Sequence, residues 1–169
     1  SRPVVLLTND GGENWSIDTL KENPLSLFFL NDTLGWMVTD RGIWRSEEAG
    51  LGWRKLKAMS DILRVHFLDE KRGFAIGVRK SAFRTVDGGS TWTPLEDADQ
   101  LKTTKDFTVF SSVDFAAGRF GLITGWSRPP RRRVARFPDW MEPEAAQRRL
   151  ETPALAAFLE TRDGGTTWK

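Results

Sequence analysis

The chain has 169 residues, 39% hydrophobic and 28% charged, with a net charge of +2, a balance that belongs to a soluble globular protein and argues against disorder. It contains no cysteine, which excludes a disulfide scaffold, a thiolate metal site and a cysteine nucleophile together. No apolar run approaches the roughly 18 to 20 residues that cross a bilayer as a helix, and so small a net charge carries no sign of a nucleic-acid partner, although a pI near 9.1 leaves room for a local basic patch.

The chain opens on a strand-like PVVLLT (3–8), and no signal peptide is visible. TNDGGENW (8–15) follows as a turn. Four short alternating runs then succeed one another: LSLFFL (25–30), GWMVT (35–39), IWRS (43–46) and WRKL (53–56), the last two separated by SEEAGLGW (46–53). The same order returns as ILRVHFL (62–68), GFAIGV (73–78), AFRT (82–85) and WTPL (92–95), with TVDGGSTW (85–92) as the turn. The final unit ends on TRDGGTTW (161–168).

Two markers set the period. The box tryptophans Trp15, Trp53, Trp92 and Trp168 are 38, 39 and 76 residues apart. Between boxes a Phe is followed six positions later by Gly and a bulky apolar residue: Phe29 to Gly35-Trp36, Phe67 to Gly73-Phe74, Phe115 to Gly121-Leu122. Only one such marker lies between Trp92 and Trp168, so that stretch is one unit with extra residues, not two units. Four-stranded antiparallel units of roughly 40 residues are blades of a β-propeller. The expected fold is therefore all-β, with about three and a half blades: a half blade at 1–24, blades at 25–61 and 62–106, and a blade at 107–169 carrying an inserted loop, 127–153. An arc of this kind leaves sheet edges open, so the expectation is a ring of six to eight blades closed by the rest of its own chain or by other subunits.

The boxes read as structural devices. In Thr8, Asp10, Gly12 and Trp15, in Thr85, Asp87, Gly89 and Trp92, and in Thr161, Asp163, Gly165 and Trp168, Asp accepts backbone N–H groups, Gly takes positive φ and Trp folds back over the hairpin. The second box, Ser46, Glu48, Gly50 and Trp53, has lost the Asp and kept the Trp, which marks the apolar contact as the less dispensable part.

The pattern S/T-x-D-x-G-x-T-W resembles the Asp-box, or BNR repeat, of sialidases, family 74 xyloglucanases, sortilin-type receptors and the photosystem II stability/assembly factor family. GWMVTDRGIWRSEEAGLGW and GFAIGVRKSAFRTVDGGSTW look most like that last family, a resemblance covering 25–96 and, around an insertion, 107–169. It implies a non-enzymatic propeller, typically seven-bladed, that binds other proteins during assembly and usually lies outside the cytoplasm. No metal or other cofactor is implied.

In up-and-down blades the D-to-A and B-to-C connections share one face. Both length excesses, 97–106 and 127–153, fall there, on loops of the kind that carry function. The insertion holds Arg128, Arg131, Arg132, Arg133, Arg136, Arg148 and Arg149, with Trp140 and Met141 as an apolar anchor and a short helix over 143–150. Two readings stay open: an arginine-lined lid for a partner with an acidic surface, or a solvated loop whose arginines pair with its own acids while Phe137 and Trp140 pack on the disc. Nucleic acid is disfavoured because no aromatic platform interleaves with the basic run. His66 reads as a channel-side or inter-blade packing residue. A glycoside hydrolase is the alternative function. It lacks the tyrosine a sialidase needs, and Asp97, Asp99, Asp139 and Glu142 are loop acids with no spacing that singles out a catalytic pair.

Overall fold

The computed structural model describes residues 2–128, 138, 140–144, 147 and 154–169. Among them lie four antiparallel sheets in up-and-down order. The first holds β1 (Val4–Leu7) and β2 (Ser16–Thr19). The second is β3 (Pro24–Phe29), β4 (Gly35–Thr39), β5 (Gly42–Ser46) and β6 (Arg54–Ala58). The third is β7 (Ile62–Phe67), β8 (Gly73–Gly77), β9 (Ala82–Thr85) and β10 (Thr93–Pro94), and the fourth is β11 (Thr108–Ala116), β12 (Phe120–Ser127) and β13 (Leu155–Thr161). The expected strands are present, with β10 reduced to two residues because the chain turns into a short helix, α1 (Glu96–Asp99).

The core lies between sheets, as the period-2 alternation of each strand requires. Trp36, Val38 and Ile43 of the second sheet meet Ile62, Val65, Phe67 and Ala75 of the third in one cluster. Phe74, Ile76, Ala82, Leu95 and Ala98 of the third meet Phe110, Val113, Ile123, Ala157, Leu159 and Trp168 in the next. Strands β4 and β8 are buried along their whole length.

The Phe and Gly marker has a steric cause. Phe29, Phe67 and Phe115 stand directly across from Gly35, Gly73 and Gly121 in register. Each ring lies so close over its glycine that a Cβ would come within 2.4 to 2.6 Å of the nearest ring carbon. The same ring then meets the box Trp of its own sheet edge-on, with centroids 6.2 Å apart for Phe29 and Trp53, 6.0 Å for Phe67 and Trp92, and 5.7 Å for Phe115 and Trp168. Such aromatic pairs add roughly 0.5 to 1.5 kcal/mol beyond area burial.

The bulky residue after each glycine links one sheet to the next. Trp36 stacks on Phe67 at 3.6 Å and 8°, and its indole N–H donates to the Gly88 carbonyl in the following box at 3.0 Å. Phe74 occupies the matching place in the next seam, stacked on Phe115 and edge-on to Trp168.

Three expectations are corrected. The connection 97–106 is not an open loop: α1 and a 3-10 turn (Lys105–Phe107) shape it, and Ala98 and Leu101 pack into the core. Trp140 is 78% exposed and Met141 is also exposed, so neither anchors the insertion to the disc. The box tryptophans are not uniformly buried: Trp168 is, Trp53 and Trp92 are half-buried, and Trp15 is 57% exposed, since the first sheet as described contributes no Phe to cover it.

Candidate functional site

The box hairpins consume their own polar groups. Thr85 Oγ1 donates to Asp87 Oδ1 and accepts the Gly89 N–H at 3.0 Å, while Asp87 accepts the Thr91 N–H at 2.9 Å and the Thr91 hydroxyl at 2.6 Å. Thr8 and Asp10 repeat this with Gly12 and Asn14. Thr161 and Asp163 do so with Gly165 and Thr167. Trp15 and Trp92 close the ring by donating their indole N–H to Gly12 O and Gly89 O, both at 3.0 Å. In the degenerate box Ser46 Oγ still accepts from the Glu48 and Gly50 N–H groups, but the longer Glu48 side chain takes over none of the Asp bonds. These bonds are all internal to the hairpins, so the carboxylates act as turn acceptors, and among the described residues no group of three or more His/Cys/Asp/Glu side chains could hold a metal ion.

Trp92 meets Phe67 edge-on and donates its indole N–H to Gly89 O, so Trp92→Ala is expected to cost about 3 kcal/mol and to lower the melting temperature more than Asp87→Ala. Equal or reversed shifts in thermal melts would refute that ranking.

The elaborated connections converge on the opposite end of the sheets. Lys80, in the turn between β8 and β9, is buried and donates Nζ to Asp99 O and Leu101 O at 2.9 and 2.7 Å, pinning the 95–107 connection. The Arg128 N–H donates to Phe107 O at 3.0 Å where the insertion departs, and Ser127 faces Leu155 where it returns. The Arg128 guanidinium lies over the half-exposed Trp126 ring at 5.5 Å. Asp97 Oδ2 accepts the Trp168 N–H at 2.9 Å, which makes it a structural acid. Arg131, Arg132, Arg133, Arg136, Arg148 and Arg149, with Asp139 and most of the expected helix over 143–150, lie outside the described residues. Trp126 and Lys80 were not singled out by the sequence, since a Trp in a strand and a Lys in a turn have no distinguishing spacing.

His66 sits between strands of three sheets, its ring 4.8 Å from Phe28 and 5.4 Å from Phe115. Burial pushes its pKa down, opposed by Asp114 at 3.7 Å. Glu22, in the connection from the first to the second sheet, accepts from Lys55 Nζ at 2.6 Å, Thr39 Oγ1 at 2.6 Å and Trp44 Nε1 at 3.0 Å. Burial raises its pKa, but these three donors outweigh burial and hold it at about 2.

Asp10 and Asp87 are likewise held at about 2, Asp10 first by the Asn14 N–H and Asp87 first by the Thr91 hydroxyl, and Asp163 lies lower still. A carboxylate depressed in the folded state adds stability that is present above its unfolded pKa of about 4 and is lost as pH falls through the folded value. The melting temperature is expected to stay level from about pH 7 to 5 and to fall between about pH 4.5 and 2. Glu22→Gln is expected to flatten that fall in melts followed by circular dichroism; an unchanged slope would show that Glu22 does not contribute.

Residues 52–129 match the family model described as photosynthesis system II assembly factor YCF48. The chain has a β-propeller fold. It resembles YCF48 from Cyanidioschyzon merolae, with a TM-score of 0.59 and 18% identity over 74% of this chain and 42% of that one. It resembles the structure of YCF48 bound to D1 peptide, at 0.54 and 16% over 98% of this chain and 74% of the other. The GH74 enzyme of Niastella koreensis aligns at 0.57 and 11% over 98% of this chain and 33% of the enzyme. Among curated sequences it is 35% identical to vacuolar protein sorting/targeting protein 10 of Sordaria macrospora over 66% of this chain, and 29% identical to that of Verticillium alfalfae over 59%. The chain spans only 8% and 7% of those relatives. No helix among the described residues is long and apolar enough to cross a membrane.

Proposed function

We propose that the chain is a non-enzymatic, protein-binding propeller scaffold of the assembly-factor kind, whose recognition face carries the connections 97–106 and 127–153. The observation that carries this reading is the match of 52–129 to the assembly-factor family, one structure of which holds a peptide. The sorting-receptor relatives point the same way by name. The closed hydrogen bonding of the boxes supports recognition on the other end of the sheets, where Arg128 and Trp126 stand and the arginine-rich insertion departs. The partner surface is taken to be acidic, matching Arg128, Arg131, Arg132, Arg133, Arg136, Arg148 and Arg149.

The sheets are read as a half blade (1–24) and three blades (25–61, 62–106, 107–169) of a ring that further blades of its own chain or other subunits close. Exposed apolar side chains support this: Leu6 and Ile17 of the first sheet with Leu25 and Leu27 of the second, and Phe120 and Phe158 of the fourth. A monodisperse, stably folded monomer in sedimentation would count against it.

Replacing 127–153 by a two-residue turn tests the recognition face. Capture of acidic peptides on the parent chain is expected to fall at least about tenfold in the shortened one (about 1.4 kcal/mol), with the melt preserved; undiminished capture would remove the insertion from the site. The GH74 likeness favours a second reading as a carbohydrate hydrolase. Sugar release from xyloglucan that is lost in Glu142→Gln would establish it.

A further inference from the structure

The degenerate box lacks the internal bonds that close the others. Elsewhere the side chain before the Trp, that of Asn14, Thr91 or Thr167, donates to the box carboxylate, and Trp15 and Trp92 close on Gly12 O and Gly89 O. Here that position is Gly52, which has no side chain to give. The Glu48 carboxylate lies over it, so near that a Cβ on Gly52 would come within 2.6 Å of Oε2. Among the described residues neither the Glu48 carboxylate nor the Trp53 indole N–H has a hydrogen-bond partner.

The strands that flank this box add a like-charge pair. Arg45 of β5 stands directly across from Arg54 of β6, where the corresponding pairs are Leu7 with Ser16, Arg84 with Thr93 and Glu160 with Lys169. Like charges directly opposite destabilise a sheet. Arg45 lies over the Trp36 ring at 5.5 Å and pairs with Glu47 at 3.0 Å, yet its Nε is buried without a partner. Arg54 has no ion pair or side-chain hydrogen bond among the described residues.

A cavity of about 320 Å³ collects these groups, walled by Arg45, Glu47, Glu48, Gly52, Trp53 and Arg54. Every one of these residues belongs to the β5 to β6 hairpin, so the walls need no neighbouring sheet. Its charges disfavour a simple ion of either sign: an anion drawn to the arginines would face Glu47 and Glu48, and a cation drawn to the glutamates would face the arginines. A hydroxyl suits both, since it donates once and accepts twice, and the Trp53 indole supplies an apolar wall. We propose that this cavity binds a neutral sugar ring, its hydroxyls shared between Glu48 and Arg54 and its apolar face laid on Trp53. The site stands independently of the protein-binding and hydrolase readings, whose residues lie at the other end of the sheets.

The experiment follows the indole N–H resonance of Trp53 in the whole chain, with that of Trp92 in a closed box as the internal reference. Cellotetraose, maltotetraose, sodium sulfate and glycine are titrated in turn. A saturable Trp53 shift is expected with at least one tetraose at millimolar concentration, with Trp92 unmoved and with sulfate and glycine at least about tenfold weaker. Glu48→Asp combined with Gly52→Thr installs the residues of the third-sheet box, Asp87 and Thr91. This double variant is expected to close the box, raise the melting temperature and abolish the sugar response. Arg54→Thr, which copies Thr93, removes the like-charge pair and is expected to weaken sugar binding at least about tenfold; it decides the matter if the double variant fails to fold. Sulfate or glycine acting as strongly as a tetraose would make the site ionic and overturn the proposal. A sugar response unchanged in these variants, or no Trp53 shift with either tetraose, would overturn it too.

Discussion

Trp36→Ala is expected to cost about 4 kcal/mol and to lower the melting temperature by roughly 8 to 16 °C, more than any change confined to a box carboxylate. Trp36 has no exposed surface, stacks face to face on Phe67 of the next sheet, and donates its indole N–H to a carbonyl of the next box. Truncation empties the seam and leaves the Gly88 carbonyl without that donor. Trp36→Phe isolates the second effect: it keeps a ring against Phe67 and forfeits the hydrogen bond, so about 1 kcal/mol is expected. Denaturant melts check both. If the two variants lose the same stability, the stack contributes nothing and the seam is held otherwise.

This coupling explains why so much of the fold was legible. The boxes, the Phe and Gly marker and the bulky residue after Gly belong to one device, in which a ring is clamped between a glycine, the box Trp of its own sheet and an aromatic residue of the sheet before. A device that repeats leaves the same letters at each repeat, so strand order and spacing could be read directly. What escaped were departures from the repeat. Asp18 is one: it stands three residues after Trp15, where Leu56 and Leu95 follow their own tryptophans and pack in the seams. Lys80 gave no signal because its role depends on the non-local 95–107 connection lying within reach of its ammonium. The exposure of Trp140 was not legible either, since composition says that a Trp prefers burial but not whether a surface is there to receive it.

The two ends of the sheets differ in chemistry. Hydrogen bonds inside each hairpin hold the carboxyls of Asp10, Asp87 and Asp163 well below the usual carboxylate range, so they stay ionised near neutrality, which suits a fastener and not an acid or base that must exchange protons there. The groups at the other end differ in kind: a cation over an exposed indole at Arg128 and Trp126, and a basic insertion leaving from the same strand end. Hydrogen-bonded fasteners thus occupy one end of the sheets and the longest connections the other.

The same clamp makes Gly73→Ala a severe substitution although it adds one methyl group. An ideal Cβ on Gly73 falls 2.6 to 2.8 Å from three carbons of the Phe67 ring. On a surface the ring would swing away, but here its far side is stacked on Trp36 at 3.6 Å and its edge meets Trp92. The ring must therefore push the neighbouring sheet outward, and overpacking of a close-packed interior costs about 3 kcal/mol when no neighbour can yield. Backbone conformation is not the cause, because Gly73 has an ordinary strand φ, unlike Gly88 and Gly89 at +74° and +97°. Relief is expected from Phe67→Leu in the same chain: the double variant should be more stable than the sum of its two single changes by at least about 1 kcal/mol in a double-mutant cycle. Strict additivity would mean that the ring and the glycine do not touch, and the repeated Phe and Gly spacing would then need another cause.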